Sequence, residues 1–239
     1  TPSGKDLVDF CDDCAKKERG RQKALDVEKK KTAMLQELAE TKSEFFEIVK
    51  LFVEMVQALQ EKIDSGLLQN STNFLVGEID YESVKKIIKW IVFENTLTSK
   101  SPLTLYINSH GGSLLDAFAL IEVMKKSKRK IRTVGIGSVM SAGFLIFVSG
   151  TKGERYITKT ASILCHQLST EIEGKHHDIN SYYKENERNN QNMIEILSES
   201  CELDKNEIKK ILLPPTDVWL TANEMIQFKL ADNYYEDLK

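Results

Sequence analysis

Apolar positions along this chain follow two rhythms, and each marks a region. From Met34 the rhythm is sevenfold: Leu38, Phe45, Phe52 and Leu59 recur, with Ile48, Met55, Val49, Val56 and Ile63 in the flanking positions. That spacing lays a broad apolar stripe along one helical face. It predicts an amphipathic helix over about 34–65, ending near Ser65-Gly66, a plausible C-cap. From Phe74 short apolar bursts alternate with helical periods. Strands are expected at 74–79, 103–107, 131–136 and 163–166, and helices at 81–93, 114–126 and 177–200. The apolar run 144–148 follows a glycine-rich turn and reads as a buried helix. Such alternation predicts an α/β domain with a largely parallel sheet. Residues 1–33 are dominated by charge and read as a solvated helix or tail. The expected organisation is a charged helical extension, 1–73, ahead of a domain spanning 74–239.

Composition narrows the function classes. The 239 residues are 41% hydrophobic and 29% charged, with a formal net charge of -3, as in a soluble globular protein and unlike a basic nucleic-acid binder. No apolar run approaches the length of a membrane-spanning helix, and the N-terminus has no secretory core. Four cysteines are too few for a disulfide scaffold in a chain of this size, which points to a reduced, intracellular setting. Cys11 and Cys14 form a single CxxC pair. Neither a second pair nor a βαβ frame accompanies it, so zinc and redox roles lack support and the pair reads as incidental. No metal or other cofactor is expected.

Two glycine turns follow expected strands. Ser109-His110-Gly111-Gly112-Ser113 lets backbone amides approach a ligand closely, although a plain structural turn is its default reading. Gly137-Ser138-Val139-Met140-Ser141-Ala142-Gly143 places Ser141 between a strand and a buried helix, with small neighbours that leave its hydroxyl accessible. Ser141 there suits a nucleophile; its alternative is a helix cap, and Ser138 is assigned to capping. A serine nucleophile needs a base. Of four histidines, His176 and His177 lie in a polar segment, whereas His166 ends the apolar strand Ile163-Leu164-Cys165. Its alternative is a half-buried, hydrogen-bonded histidine. Asp217, set between Pro214-Pro215 and Val218-Trp219-Leu220, is a candidate for the group that orients the imidazole.

Together these segments resemble the Clp protease proteolytic subunit (ClpP) family. Leu105 to Ser113 looks like that family's LYINSPGGS, Gly137 to Gly143 like its GQAASMG around the nucleophile, and Gly150 to Tyr156 like its GAKGKRY. His166-Gln167 matches the segment of its catalytic histidine, Asp217 to Ala222 that of its triad aspartate, and Leu230-Ala231-Asp232 its closing motif. Several independent motifs in the right order, from roughly Phe74 to the C-terminus, carry the resemblance. It implies a ClpP/crotonase-like repeated β-β-α fold with a handle helix. It also implies a serine endopeptidase working through Ser141, His166 and Asp217, with the amides of Gly112 and Ala142 as oxyanion hole. Stacked heptameric rings, protein or peptide substrates and an AAA+ unfoldase partner come with it, in the cytoplasm and with no nucleic acid or membrane. The lysine- and asparagine-rich style is similar to phage-encoded members.

The sequence departs from the family at four places. His110 replaces a proline, and Leu168 to Glu173 replaces a proline- and glycine-containing strand that pairs with substrate. The arginine and aspartate that usually flank the triad aspartate are missing. Residues 1–73 stand where a short axial loop is usual. Two other functions compete: an assembly or regulatory subunit in a mixed ring, and a crotonase-fold acyl-CoA hydratase or isomerase.

Overall fold

The computed structural model describes residues 21, 23, 25–31, 49–58, 66 and 70–237, and the chain divides into two compact units, 1–65 and 66–239. In the first unit residues 25–31 and 49–58 are helical. The latter stretch falls inside the expected 34–65 helix, whose remaining positions, like the Cys11–Cys14 pair, lie outside the described residues.

The second unit builds the expected α/β alternation. In chain order it runs β1 Thr72–Ile79, α1 Tyr81–Glu94, β2 Leu103–Gly112, α2 Leu114–Lys125, β3 Ile131–Met140 and α3 Ala142–Val148. There follow β4 Arg155–Ile157, β5 Ser162–Cys165, α4 His176–Ser200 and α5 Lys205–Glu207, which runs into a π-helical turn Ile208–Leu212. The chain closes with β6 Val218–Leu220, α6 Ala222–Gln227 and β7 Asn233–Tyr234.

Strands β1-β2-β3-β4-β7 form a parallel path in that order, and β5 branches from β3 with β6 antiparallel beside it. The branch matters for function. β3 pairs with β4 through Thr133–Gly135, then changes partner and pairs with β5 through Ser138–Met140. A strand that switches neighbours opens a crevice at its carboxyl end, where α/β proteins place their ligands.

One face of the sheet is closed by helices. On β2, Leu103, Leu105, Ile107 and Ser109 are buried, while Thr104, Tyr106 and Asn108 on the opposite face are half-buried and His110 is exposed. The buried row meets α1, α2 and α3 in one apolar core. Every residue of α3 is buried, as the uninterrupted run 144–148 required. The ends of α1 are fixed locally. Asp80 and Ser83 make a reciprocal cap at its start. Beyond its last turn, Arg129 bonds Glu94 and Ser71, all three buried, which pins β1 to α1.

Two expectations need correction. Segments 108–112 and 137–140 were expected as turns but remain strand. Their backbone groups find ladder partners, Ile79 opposite Gly112 and Leu164 opposite Met140, so extension satisfies more hydrogen bonds than a turn would. The helical period of 81–93 groups Val92 with Val84, Ile87, Ile88 and Ile91 on one side, yet Val92 is 55% exposed, while Trp90 is buried.

Candidate active site

The crevice at the end of β3 holds Ser141. Its amide donates to the Leu164 carbonyl at 2.9 Å, which extends the β3–β5 ladder by one bond before the chain turns into α3. The turn demands φ 54° and ψ −123° at Ser141, a region disfavoured for any residue with a side chain. Ser141 occupies the N-cap of α3, but its hydroxyl makes no capping bond there. It is turned instead towards His166, with Oγ 2.8 Å from Nε2. With Nδ1 protonated, Nε2 accepts the serine proton, as a general base must. A sharp strand-to-helix turn presenting a strained serine is the geometry of a nucleophile elbow.

His166 follows the last residue of β5 and is half-buried. The antiparallel pairing of Cys165 with Val218 sets the next position, His166, opposite Asp217. Asp217 is exposed, and among the described residues it makes no hydrogen bond or ion pair; the His166 ring is bonded to Ser141 alone. Serine and histidine are therefore brought together, and Asp217 lies at the adjoining register position without engaging the imidazole. Cys165, next to the base, is no competing nucleophile, because burial pushes its thiol up to about 12.

Two glycines shape the opposite wall. A Cβ on Gly111 would lie 2.6 Å from the Cβ of Ser141, and one on Gly112 would lie 2.3 Å from the Ile79 carbonyl oxygen. Their φ values of 103° and 144° exclude other residues independently. Gly111 donates its amide to Ser109 Oγ at 3.0 Å, and Gly112, the next residue on this arm, lines the cleft. Facing it, Ala142 is the first residue of α3, and its N–H has no intrahelical acceptor. Ser141, His166, Gly112 and Ala142 line one cleft of about 180 Å³, whose apolar side is Leu114, Leu145 and Met193.

The other singled-out residues fall elsewhere. His110 is exposed on the far side of β2 from Gly111, with Nε2 3.3 Å from Ser138 Oγ. Ser138 is not a cap: it lies within β3, four positions before α3 (142 − 138 = 4), and donates its amide to Asn108 Oδ1. His176 and His177 are exposed at the start of α4. Residues 166–175 form no regular strand, and Gln167 Nε2 donates to the Leu213 carbonyl at 2.8 Å instead. The sequence reading missed Ser109, whose only signal is its place two residues before Gly111. Among the described residues no cluster of His, Cys, Asp and Glu is fit to hold a metal ion.

The description Clp protease belongs to the family model that matches residues 56–237. The chain belongs to the Clp protease family. Among similar proteins, the ATP-dependent Clp protease proteolytic subunit of Borreliella afzelii is 32% identical over 171 residues, 72% of this chain and 86% of that protein. Subunit 1 of the same name from Borreliella burgdorferi is 31% identical over 72% of this chain and 87% of its own length. Subunit 2 from Treponema denticola is 27% identical over 74% of this chain and 89% of its own length. The protein is thus a Clp-type serine protease subunit with the fold the sequence led us to expect, and the crotonase alternative falls. The Clp match starts 18 positions before Phe74 (74 − 56 = 18), so the resemblance reaches into the amphipathic helix. Among the described residues no helix is long and apolar enough to cross a membrane.

Proposed function

We propose that this Clp-type subunit cleaves peptide bonds through Ser141, His166 and Asp217. The 2.8 Å contact between His166 Nε2 and Ser141 Oγ, made at a strained turn, is the observation that carries the reading. Ser141 Oγ attacks the scissile carbonyl carbon while His166 Nε2 takes its proton. The carbonyl π electrons move to oxygen, and the amides of Gly112 and Ala142 receive the oxyanion. Collapse breaks the C–N bond as the imidazolium returns the proton to the leaving amine, leaving an acyl-enzyme. Water, deprotonated by His166, repeats the sequence and releases the acid. Leu114, Leu145 and Met193 favour an apolar side chain beside the scissile bond.

Asp217 completes the triad by swinging from solvent to accept a hydrogen bond from the Nδ1–H of His166; the β5–β6 register supports this role. Asp217→Asn is expected to lower kcat by about 10⁴-fold while Ser141 still reacts slowly with a fluorophosphonate. Undiminished kcat would remove Asp217 from the triad. Further parts of the reading are stacked heptameric rings, an AAA+ unfoldase that supplies protein substrates, and work in the cytoplasm. The similarity to proteins named ATP-dependent, joined to the lack of a phosphate-binding loop in this sequence, supports the unfoldase. Residues 1–73 would be a charged helical extension ahead of the peptidase domain 74–239. The second reading, an assembly or regulatory subunit, draws on one observation, the unengaged Asp217.

A further inference from the structure

Ser109 sits between the two arms of the proposed oxyanion hole and touches both. Its side chain is fully buried, on the packed face of β2. Towards its own strand, Oγ accepts the Gly111 amide at 3.0 Å, which fixes the His110–Gly111 peptide plane, the one before the plane that carries the Gly112 N–H. Towards α3, it lies against Gly143: a Cβ built there would meet Ser109 Cβ at 3.1 Å and Oγ at 3.4 Å. A single small hydroxyl side chain therefore wedges the Gly111-Gly112 segment against the start of α3. The glycines on either side have no side chain of their own to set that spacing.

We propose that Ser109 is a positioning residue that sets the distance between the Gly112 and Ala142 amides and so tunes transition-state binding. This rests on the oxyanion-hole reading given above. Ser109 is fully buried and does not line the cleft. It binds the Gly111 amide, which would otherwise be a buried donor without a partner, free to tilt towards another acceptor. A tilt of the His110–Gly111 plane turns the adjoining Gly111–Gly112 plane with it and moves the Gly112 N–H off the position the oxyanion takes. Displacements of about 1 Å at a reacting centre cost roughly 100-fold in rate, and loss of an oxyanion donor costs roughly 100- to 1,000-fold. Misplacement without loss belongs at or below the lower figure.

The test compares full-length wild type, Ser109→Ala and Ser109→Cys for kcat and KM on a short fluorogenic peptide and for inhibition by a peptide boronate, whose adduct is tetrahedral. Oligomer mass is measured on each. For assembled Ser109→Ala we expect kcat to fall about 10- to 100-fold, KM to stay within about twofold, and boronate affinity to fall in step with kcat. A merely structural role would lower the active fraction without that proportionality. Should Ser109→Ala fail to assemble, Ser109→Cys, which keeps the size and offers a weaker acceptor, is read by the same criteria. Wild-type kcat in either assembled variant, or reduced kcat with unchanged boronate affinity, overturns the inference and leaves the triad standing. Wild-type protein that neither cleaves the peptide nor labels at Ser141 overturns the oxyanion-hole reading, and this inference with it.

Discussion

At φ 54° Ser141 occupies a conformation that costs a residue with a side chain on the order of 1–3 kcal/mol, and three neighbours hold it there. Leu164 accepts its amide, His166 bonds its hydroxyl, and Gly111 leaves room for its Cβ. The third is the least tolerant. Gly111→Ala would set a Cβ 2.6 Å from that of Ser141 and 3.0 Å from Oγ, at a φ of 103°. The serine must then move by a good fraction of an ångström. We expect kcat/KM to drop by about 100-fold or more, with the variant still assembling, as checked by peptide hydrolysis beside mass measurement. Ser141 and His166 could be singled out from the sequence because glycine spacing and a strand-ending histidine are local signals. Ser109 could not, because its importance comes from touching a residue 34 positions away (143 − 109 = 34). Ser138 was misassigned because the start of α3 lies where β3 stops pairing with β5, which its residues alone do not reveal.

Among the elements, the long, strongly periodic ones were legible: α1, α2, α4 and the first halves of β2 and β3. β4, β6 and β7 were not, since strands of two or three residues carry no period. What secures β4 and β7 is Arg155, 1% exposed. Its guanidinium donates to both oxygens of Asp232 and to the carbonyls of Val148, Ser200 and Lys229, joining the ends of α3 and α4 to the segment before β7. Burial pushes the Asp232 carboxyl up, but the bonds and charge of Arg155, with the amides of Arg155 and Gly153, outweigh it and hold the group below the usual carboxylate range. A depressed folded-state value means the stabilisation is full above the unfolded value of about 3.9 and is lost as pH falls through the folded value. Asp232→Asn should therefore lose about 3 kcal/mol at neutral pH, because it leaves the Arg155 charge buried without a counter-ion. The wild-type advantage should shrink below about pH 4, as thermal melts across pH would record. An advantage that grew on acidification would reverse the assignment.

For the whole molecule, the α/β class and the Clp resemblance followed from motifs whose order is more specific than any one of them. The family match both secures that resemblance and extends it back to residue 56. Less visible was the branch in the sheet, where β3 leaves β4 for β5. That exchange creates the crevice, sets Ser141 and His166 just past neighbouring strand ends and brings Asp217, the residue before β6, alongside, an arrangement that local periodicity does not supply. Family membership makes this an oligomeric protease, so the site is to be judged in the assembled protein. The decisive measurement is hydrolysis of a short fluorogenic peptide by purified wild type and Ser141→Ala, with oligomer mass determined on both. Cleavage by wild type from a large assembly, falling by at least about 10³-fold in an equally assembled Ser141→Ala, is the predicted result. Equal cleavage by both, or none from a fully formed wild-type oligomer, would contradict it.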